Sequence, residues 1–232
     1  MKVMSPHLMG DFRLDGKTLR NQGLNRIGNL IVPNQNYIEF ESWFKPLIMQ
    51  LHEEQKKDSH FFTPSEIINR MGKKLEDENN EKKEESIYYW CYKNDIPVFC
   101  PAFTDGATGD VMYFHQYNDP GFICDINRDI RKLNEISLRA KHSGQIIIGG
   151  GIVKHHINNA NLMRNGANYS VLVNTAQEFD GSDSGAHPDE AISWGKIAIG
   201  AKSVKICGEA TLILPVLVGE TFVRNFELAK RV

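Results

Sequence analysis

The 232-residue sequence predicts an α/β protein with a mainly parallel sheet, on three observations. Short apolar runs at 96–100, 122–124, 146–148, 170–173 and 204–207 have the composition of strands. Segments with helical apolar spacing separate them, the rhythm of βαβ units rather than of hairpins. A run of three glycines, Gly149-Gly150-Gly151, follows one strand and opens a helix. With 41% hydrophobic and 24% charged residues, the chain has apolar material for a sizeable core, and a single domain over 1–232 is expected.

The elements follow in order. The residues before Pro33 read as strand and turn, punctuated by Gly10, Gly16, Gly23 and Gly28. A helix comes next, because Phe40, Trp43, Phe44, Leu47, Ile48 and Leu51 recur at helical spacing; Pro46 lies inside it and should kink it. Thr63-Pro64-Ser65-Glu66 joins an N-cap hydroxyl, a proline at the first helical position and a glutamate placed to reach back. A second helix therefore opens there, with Ile67, Ile68 and Met71 on its buried face. Residues 73–85, four lysines against six acids, read as a charged, solvated and mobile surface insertion. A short aromatic helix at 87–92 precedes the candidate strand 96–100, and a loop and short helix lead on to 122–124. A helix over Ile130, Leu133 and Ile136 passes through Gly144 into strand 146–148. The next helix runs to about Arg164, where Asn165-Gly166 supplies a stop. Strand 170–173, a long polar loop and strand 204–207 complete the series.

Composition excludes several classes. Twenty-seven basic residues against 29 acidic ones leave a net charge of −2, which gives no general pull toward nucleic acid. No apolar run reaches the ~18–20 residues needed to cross a bilayer. The opening residues, with Lys2, Ser5 and Pro6, break before any apolar stretch develops, so no leader and a cytoplasmic location are expected. Cys91, Cys100, Cys124 and Cys207 are widely spaced, without a C-x-x-C pair. Neither a disulfide framework nor a metal site is expected from that spacing.

Ligands of open α/β sheets bind at the carboxyl ends of strands, which directs attention to the polar loops there. Backbone N–H groups of Gly149-Gly150-Gly151 could approach a phosphate or ribose, or the glycines could serve only a tight turn. The dinucleotide fingerprint is incomplete, since Lys154 stands where its last glycine is due. His155-His156 diverge by ~100° on the following helix, so at most one faces a site and the pair is a poor metal motif. Asp105 and Asp110 lie in one candidate strand-end loop; Asp180 and Asp183 lie in a second, with Asp189 and Glu190 close behind. Singly, each loop reads as an Asx turn or a cap; on one sheet edge together they would line a negative cleft suited to a cationic ligand. Asp183-Ser184-Gly185 also occurs in trypsin-like proteases, but the α/β rhythm contradicts their β-barrel frame. Lys196 follows Trp194, and an apolar wall eases the loss of an ammonium proton, as imine-forming lysines require. A surface lysine at a helix end is the plain alternative.

The runs Asn29-Leu30-Ile31-Val32-Pro33-Asn34, 101–110, 149–165 and 174–196 together resemble deoxyhypusine synthase, over about Gly10 to Phe226. The most specific segments are Gly149-Gly150-Gly151-Ile152-Val153-Lys154-His155-His156 and 176–186. The resemblance implies a Rossmann-like fold with helices on both faces of the sheet. It implies a transferase in which spermidine is oxidised with NAD and its butylamine part is held as an imine on Lys196. That part then passes to one lysine of the translation factor 5A precursor and is reduced there. Polyamine binding falls on Asp110, His155, Ser182, Asp183, Glu190 and Trp194, with His155 also the candidate proton acceptor. NAD binding falls on Asp105, Gly150, Thr175, Ala176, Glu209 and Ala210. Homotetramers with shared active sites are implied as well.

The matched part is about the C-terminal two-thirds of the family, whose N-terminal Ser/Gly-rich and Thr-Ala-Gly-Gly-type NAD loops have no counterpart here. Glu209 stands where the family usually has aspartate, and His187 where it has arginine. An N-terminally truncated chain is therefore expected. It would be either a synthase or an impaired or regulatory paralogue paired, in a mixed oligomer, with a full-length subunit.

Overall fold

The computed structural model describes residues 5–229, with side chains to 226. Residues 1–4, which open the segment expected to carry no leader, lie outside the described residues, as do 230–232. The chain divides into two compact units, Met1–Asp129 and Ile130–Val232, taken here one at a time.

The first unit opens with β1 (Leu8–Met9), α1 (Gly16–Asn21), β2 (Leu24–Ile27) and β3 (Leu30–Pro33). The strands form an antiparallel sheet of order β1-β3-β2, in which Leu24 faces Pro33 and Ile27 faces Leu30. Next, α2 (Asn34–Asp58) continues through Pro46 and buries Phe40, Phe44, Leu47, Ile48 and Leu51. The expected capping box starts α3 (Pro64–Asp77): Thr63 Oγ1 accepts the Glu66 N–H at 3.2 Å, and the Glu66 carboxylate accepts the Thr63 N–H at 2.8 Å. Ser65 adds an anchor, its N–H and hydroxyl donating to buried Asp129 at 2.7 and 2.6 Å.

α3 runs on into the charged stretch, which is more ordered than its composition suggests. Leu75 is fully buried, and lysine–acid pairs at helical spacing, Lys73–Asp77 and Lys74–Glu78, line the turn around it. Residues 83–85 add one turn of 3-10 helix before α4 (Ile87–Lys93), which packs against α3. α5 (Ala107–Asn118) packs on α2, and Phe62, Phe103, Val111, Met112 and Phe122 complete the core.

No strand forms at 96–100 or 122–124, correcting two expectations. Pro97 has no N–H for a ladder and Pro101 follows at once, so 96–100 contributes side chains instead: Val98 and Cys100 pack on the core. Near 122–124 the only ladder contact is a single parallel bridge between Phe62 and Cys124.

α6 (Ile126–Arg139) spans the division between the units. The second unit then runs β4 (Gly144–Ile148), α7 (Gly151–Leu162), β5 (Ala167–Asn174), α8 (Pro188–Ser193), β6 (Ile197–Cys207) and α9 (Ala210–Leu217). A π-helical turn, Val218–Val223, leads to α10 (Arg224–Ala229). The sheet is parallel, of order β4-β5-β6, as the βαβ rhythm predicts. β6 starts seven residues before the expected Val204, with an irregular register opposite Ala167 and Tyr169. α7 packs on the sheet partly through amides: Gln145 Nε2 donates to Asn158 Oδ1 at 2.8 Å and to Ser170 Oγ at 3.0 Å, and Asn161 Nδ2 donates to Gln145 Oε1 at 3.1 Å. Ile147, Leu172, Val173 and Ile197 supply the apolar part of that core. Among the described residues, no helix is long and apolar enough to cross a membrane.

Candidate functional site

The three parallel strands end on one edge, and each runs directly into residues singled out from the sequence. β4 leads into Gly149-Gly150-Gly151, β5 into Thr175 and Ala176, and β6 into Glu209 and Ala210. The edge is held in register by Gly149 N–H donating to Val173 O at 2.8 Å and Gly208 N–H donating to Asn174 O at 2.9 Å.

The tight-turn reading of the glycines is realised. Gly149 and Gly151 have φ of 90° and 63°, where a side chain would be strained. Gly150 serves packing, since a Cβ there would collide with Ser184. Ser184 Oγ accepts the Gly151 N–H at 2.8 Å, so this donor of the helix start is already engaged. Glu209 caps α9: its Oε2 accepts the N–H groups of Thr211 and Leu212 at 2.9 and 3.3 Å. The Thr211 hydroxyl bond, with these backbone bonds, holds its carboxyl below the usual range. Asn174, at the tip of β5, is only 6% exposed, and neither Oδ1 nor Nδ2 has a partner among the described residues.

The loop between β5 and α8 carries Ser182 and Asp183 and is held from below by two lysines. Lys154, on α7 and 2% exposed, donates to the carbonyls of Asp183 and Ala186, and its ammonium lies 3.9 Å from Asp183 Oδ1. Lys205, on β6, donates to the carbonyls of Gly185 and Ala176. Burial pushes the Lys154 ammonium below its ordinary range; Asp183 and Glu190 oppose that, while Lys205 and Lys196 add to it. Asp183, Glu190 and Lys196 therefore lie within electrostatic reach of one buried amine.

Above this frame Ser182, Asp183, Asp189 and Glu190 are exposed. An open depression of about 550 Å³ lies over Glu178, Ser182, His187, Asp189 and Glu190. His187 Nε2 is 3.2 Å from a Glu178 carboxylate oxygen. From α8 the chain turns through Trp194 and Gly195 to Lys196, at the amino end of β6, whose carbonyl accepts the Ala167 N–H at 3.0 Å. Lys196 Nζ stands 5.6 Å from the Trp194 ring centroid. The indole is 66% exposed, so in the single chain it makes a cation–π contact rather than an enclosing wall. His155 is exposed, with Nδ1 3.3 Å from Asn159 Nδ2, and His156 is half-buried, so the pair diverges as helical geometry requires.

Asp105 and Asp110 belong to the first unit. Both are exposed, Asp110 in the first turn of α5, where the helix dipole favours an acid. Their loop folds tightly enough that a Cβ on Gly109 would collide with the Thr104 carbonyl. It follows no strand, so the expectation that both acidic loops rise from strand ends is corrected: only the loop after β5 does. Lys154, Lys205 and Asn174 are contributors that the sequence did not single out. The one available signal was a lysine within the otherwise apolar and amide face of α7.

Comparison with known proteins adds the following. Residues 1–221 match the family described as Deoxyhypusine synthase. A protein of Dictyostelium discoideum named probable deoxyhypusine synthase is 57% identical over 227 residues, covering 98% of this chain and 59% of the relative. The deoxyhypusine synthase of Senecio vernalis is 55% identical over 229 residues, covering 98% and 60%. Among solved structures, a crystal structure of a protein assigned as a deoxyhypusine synthase from Entamoeba histolytica superposes with a TM-score of 0.63 at 34% identity. It covers 83% of this chain and 57% of that one. The chain thus spans about three-fifths of the length of the curated relatives it matches.

Proposed function

The chain belongs to the deoxyhypusine synthase family, and from that premise we propose that it carries the butylamine-transfer half of the reaction's machinery. Spermidine is the donor substrate, NAD the cofactor, and one lysine of the translation factor 5A precursor the acceptor. The observation that carries this reading is the depression beside α8: three carboxylates, Glu178, Asp189 and Glu190, and no lysine or arginine among its lining residues. Such a surface attracts a polyamine and repels an anion.

Asp183 and Glu190 are assigned to the ammonium groups of spermidine, Ser182 to a hydrogen bond beside them, and the exposed Trp194 indole to its methylene chain. Once hydride has left the amine-bearing carbon and His155 has taken the amine proton, Lys196 Nζ adds to that carbon and displaces the three-carbon diamine, which leaves the four-carbon amine as an imine on Lys196. Lys154 holds the Asp183 carbonyl and Lys205 that of Gly185, so the Asp183 carboxylate meets the substrate on a fixed loop. Asp110 is a further candidate for spermidine and Asp105 for the cofactor, as the resemblance implies.

The sheet edge is chemically suited to NAD. The buried, unpartnered Asn174 amide adjoins Thr175, and space is open at Gly149 and Gly151. Gly150, Thr175, Ala176, Glu209 and Ala210 would hold it. When bound, NAD supplies a two-electron acceptor for the amine-bearing carbon and returns the electrons after transfer. A cytoplasmic location and a homotetramer, or a mixed oligomer with a longer family member, complete the reading.

Borohydride trapping tests it. With NAD and spermidine present, the chain should yield a reduced butylamine adduct on Lys196 by mass spectrometry, and Lys196→Ala should yield none. An adduct elsewhere, or none under any condition, would overturn the assignment. A second reading is a subunit that acts paired with a longer relative. It predicts the Lys196 adduct only after mixing with that relative.

A further inference from the structure

A second cluster, within the first unit, joins side chains 63 residues apart in sequence. His52 on α2 and His115 on α5 are 1% and 4% exposed, and Asp119, which closes α5, is half-buried. His52 Nδ1 lies 2.8 Å from His115 Nε2 and 3.2 Å from Asp119 Oδ2. A single proton on His52 Nδ1 satisfies this arrangement, donated at once to the imidazole nitrogen and to the carboxylate. Three potential ligand atoms, all within 4.8 Å of one another, therefore converge on the place of that proton.

We propose that this point is a binding site for one divalent transition-metal ion, held by His52 Nδ1, His115 Nε2 and the Asp119 carboxylate, with water as a fourth ligand. Two imidazoles and a carboxylate suit zinc, cobalt, nickel or copper, whereas magnesium and calcium favour all-oxygen shells. His52 stays neutral by carrying its proton on Nε2 instead. Metal–nitrogen bonds of ~2.0–2.1 Å in tetrahedral geometry set ligand atoms ~3.3 Å apart, so the two imidazoles need part by only about half an ångström. Asp119, at a helix end, has the freedom to turn its carboxylate inward. The Phe122 ring stands edge-on to both imidazoles, with centroids 5.7 and 6.1 Å from theirs, and forms an apolar wall behind the site. Lys56 Nζ, 2.8 Å from Asp119 Oδ2, is the competing cation, on a side chain exposed enough to swing away. An ion here ties α2 to α5 and binds only the folded unit, so it raises stability.

Cobalt titration of the metal-free full chain tests the proposal. One equivalent of Co²⁺ should give the visible absorption of a four-coordinate ion, be displaced by Zn²⁺, and raise the unfolding temperature. Asp119→Asn keeps the side chain's shape, so it isolates ligation from folding. It should weaken binding at least ~10–100-fold, the range that loss of a ligand's mere supporting partner produces. Lys56→Ala removes the cation paired with Asp119 and leaves all three ligands in place, so it should tighten binding. No binding, a purely six-coordinate spectrum, or equal affinity in the wild type and Asp119→Asn would overturn the site.

Discussion

Lys154 shows what one buried residue does for a loop. Its ammonium bonds the carbonyls of Asp183 and Ala186, so the carboxylate at the centre of the acidic loop is positioned from beneath. Burial lowers its pKa, so between the folded value and the unfolded value near 10.5 the unfolded chain binds more protons. Stability from this group is therefore full above about pH 10.5 and lost as pH falls through the folded value. Lys154→Met should flatten that part of the urea-midpoint profile against pH and speed hydrogen exchange in residues 177–186. A profile parallel to wild type would show that the amine is not the titrating group. The cysteines offer a second contrast. Burial pushes the Cys124 thiol up to about 12, with Asp129, Asp125 and Glu66 nearby adding to the effect. Cys207 is exposed at the end of β6. Iodoacetamide at pH 8 should therefore alkylate Cys207 in the native chain and reach Cys124 only on unfolding, because the thiolate is the reactive form. Equal labelling rates, followed by peptide mass spectrometry, would contradict the burial of Cys124.

At the scale of elements, the contact between α3 and α4 is the most exacting. A Cβ on Gly72 would collide with the Tyr88 carbonyl and lie 2.6 Å from Tyr92 Cβ, so the two helices approach through the missing side chain. Gly72→Ala should cost about 1–3 kcal/mol by urea unfolding, the range for overpacking, despite alanine's better helix propensity. A neutral or stabilising result would mean the helices do not approach so closely. Thr63→Ala should cost about 1 kcal/mol by losing the cap. These cases mark what could be read beforehand. The capping box, the α2 stripe and the β4–α7–β5 unit are local patterns, and each formed where its residues required. The stretch 73–85 misled because charge outweighs apolarity there, yet one residue, Leu75, is buried and carries the helix forward. The run 96–100 has strand composition without a ladder partner and 122–124 has one isolated bridge, and pairing is a property of neighbours that composition does not contain.

For the whole molecule, the candidate site was legible where it follows chain order and hidden where it depends on distant contacts. Gly150, Thr175, Ala176, Glu209 and Ala210, which the resemblance named, all lie within three residues of a strand end. Lys154 and Lys205 act through carbonyls of a loop 20–32 residues away, and His52 meets His115 across 63, separations that no local motif records. The same distinction governs what the single chain leaves uncovered. α9, Ala-Thr-Leu-Ile-Leu-Pro-Val-Leu, has no buried residue, with Leu212 and Val216 73% and 63% exposed. On the same unit Ile199 is 95% and Phe179 86% exposed. Apolar side chains this open suit burial against a partner, and the proposed homotetramer would supply a second copy as that partner. Light scattering should then give a mass at a multiple of 26.3 kDa. Leu212→Lys with Val216→Lys should lower it towards that of a single chain while circular dichroism stays unchanged, since neither side chain supports the core of its own unit. A wild type that stays at 26.3 kDa at micromolar concentration would remove the second copy from the site.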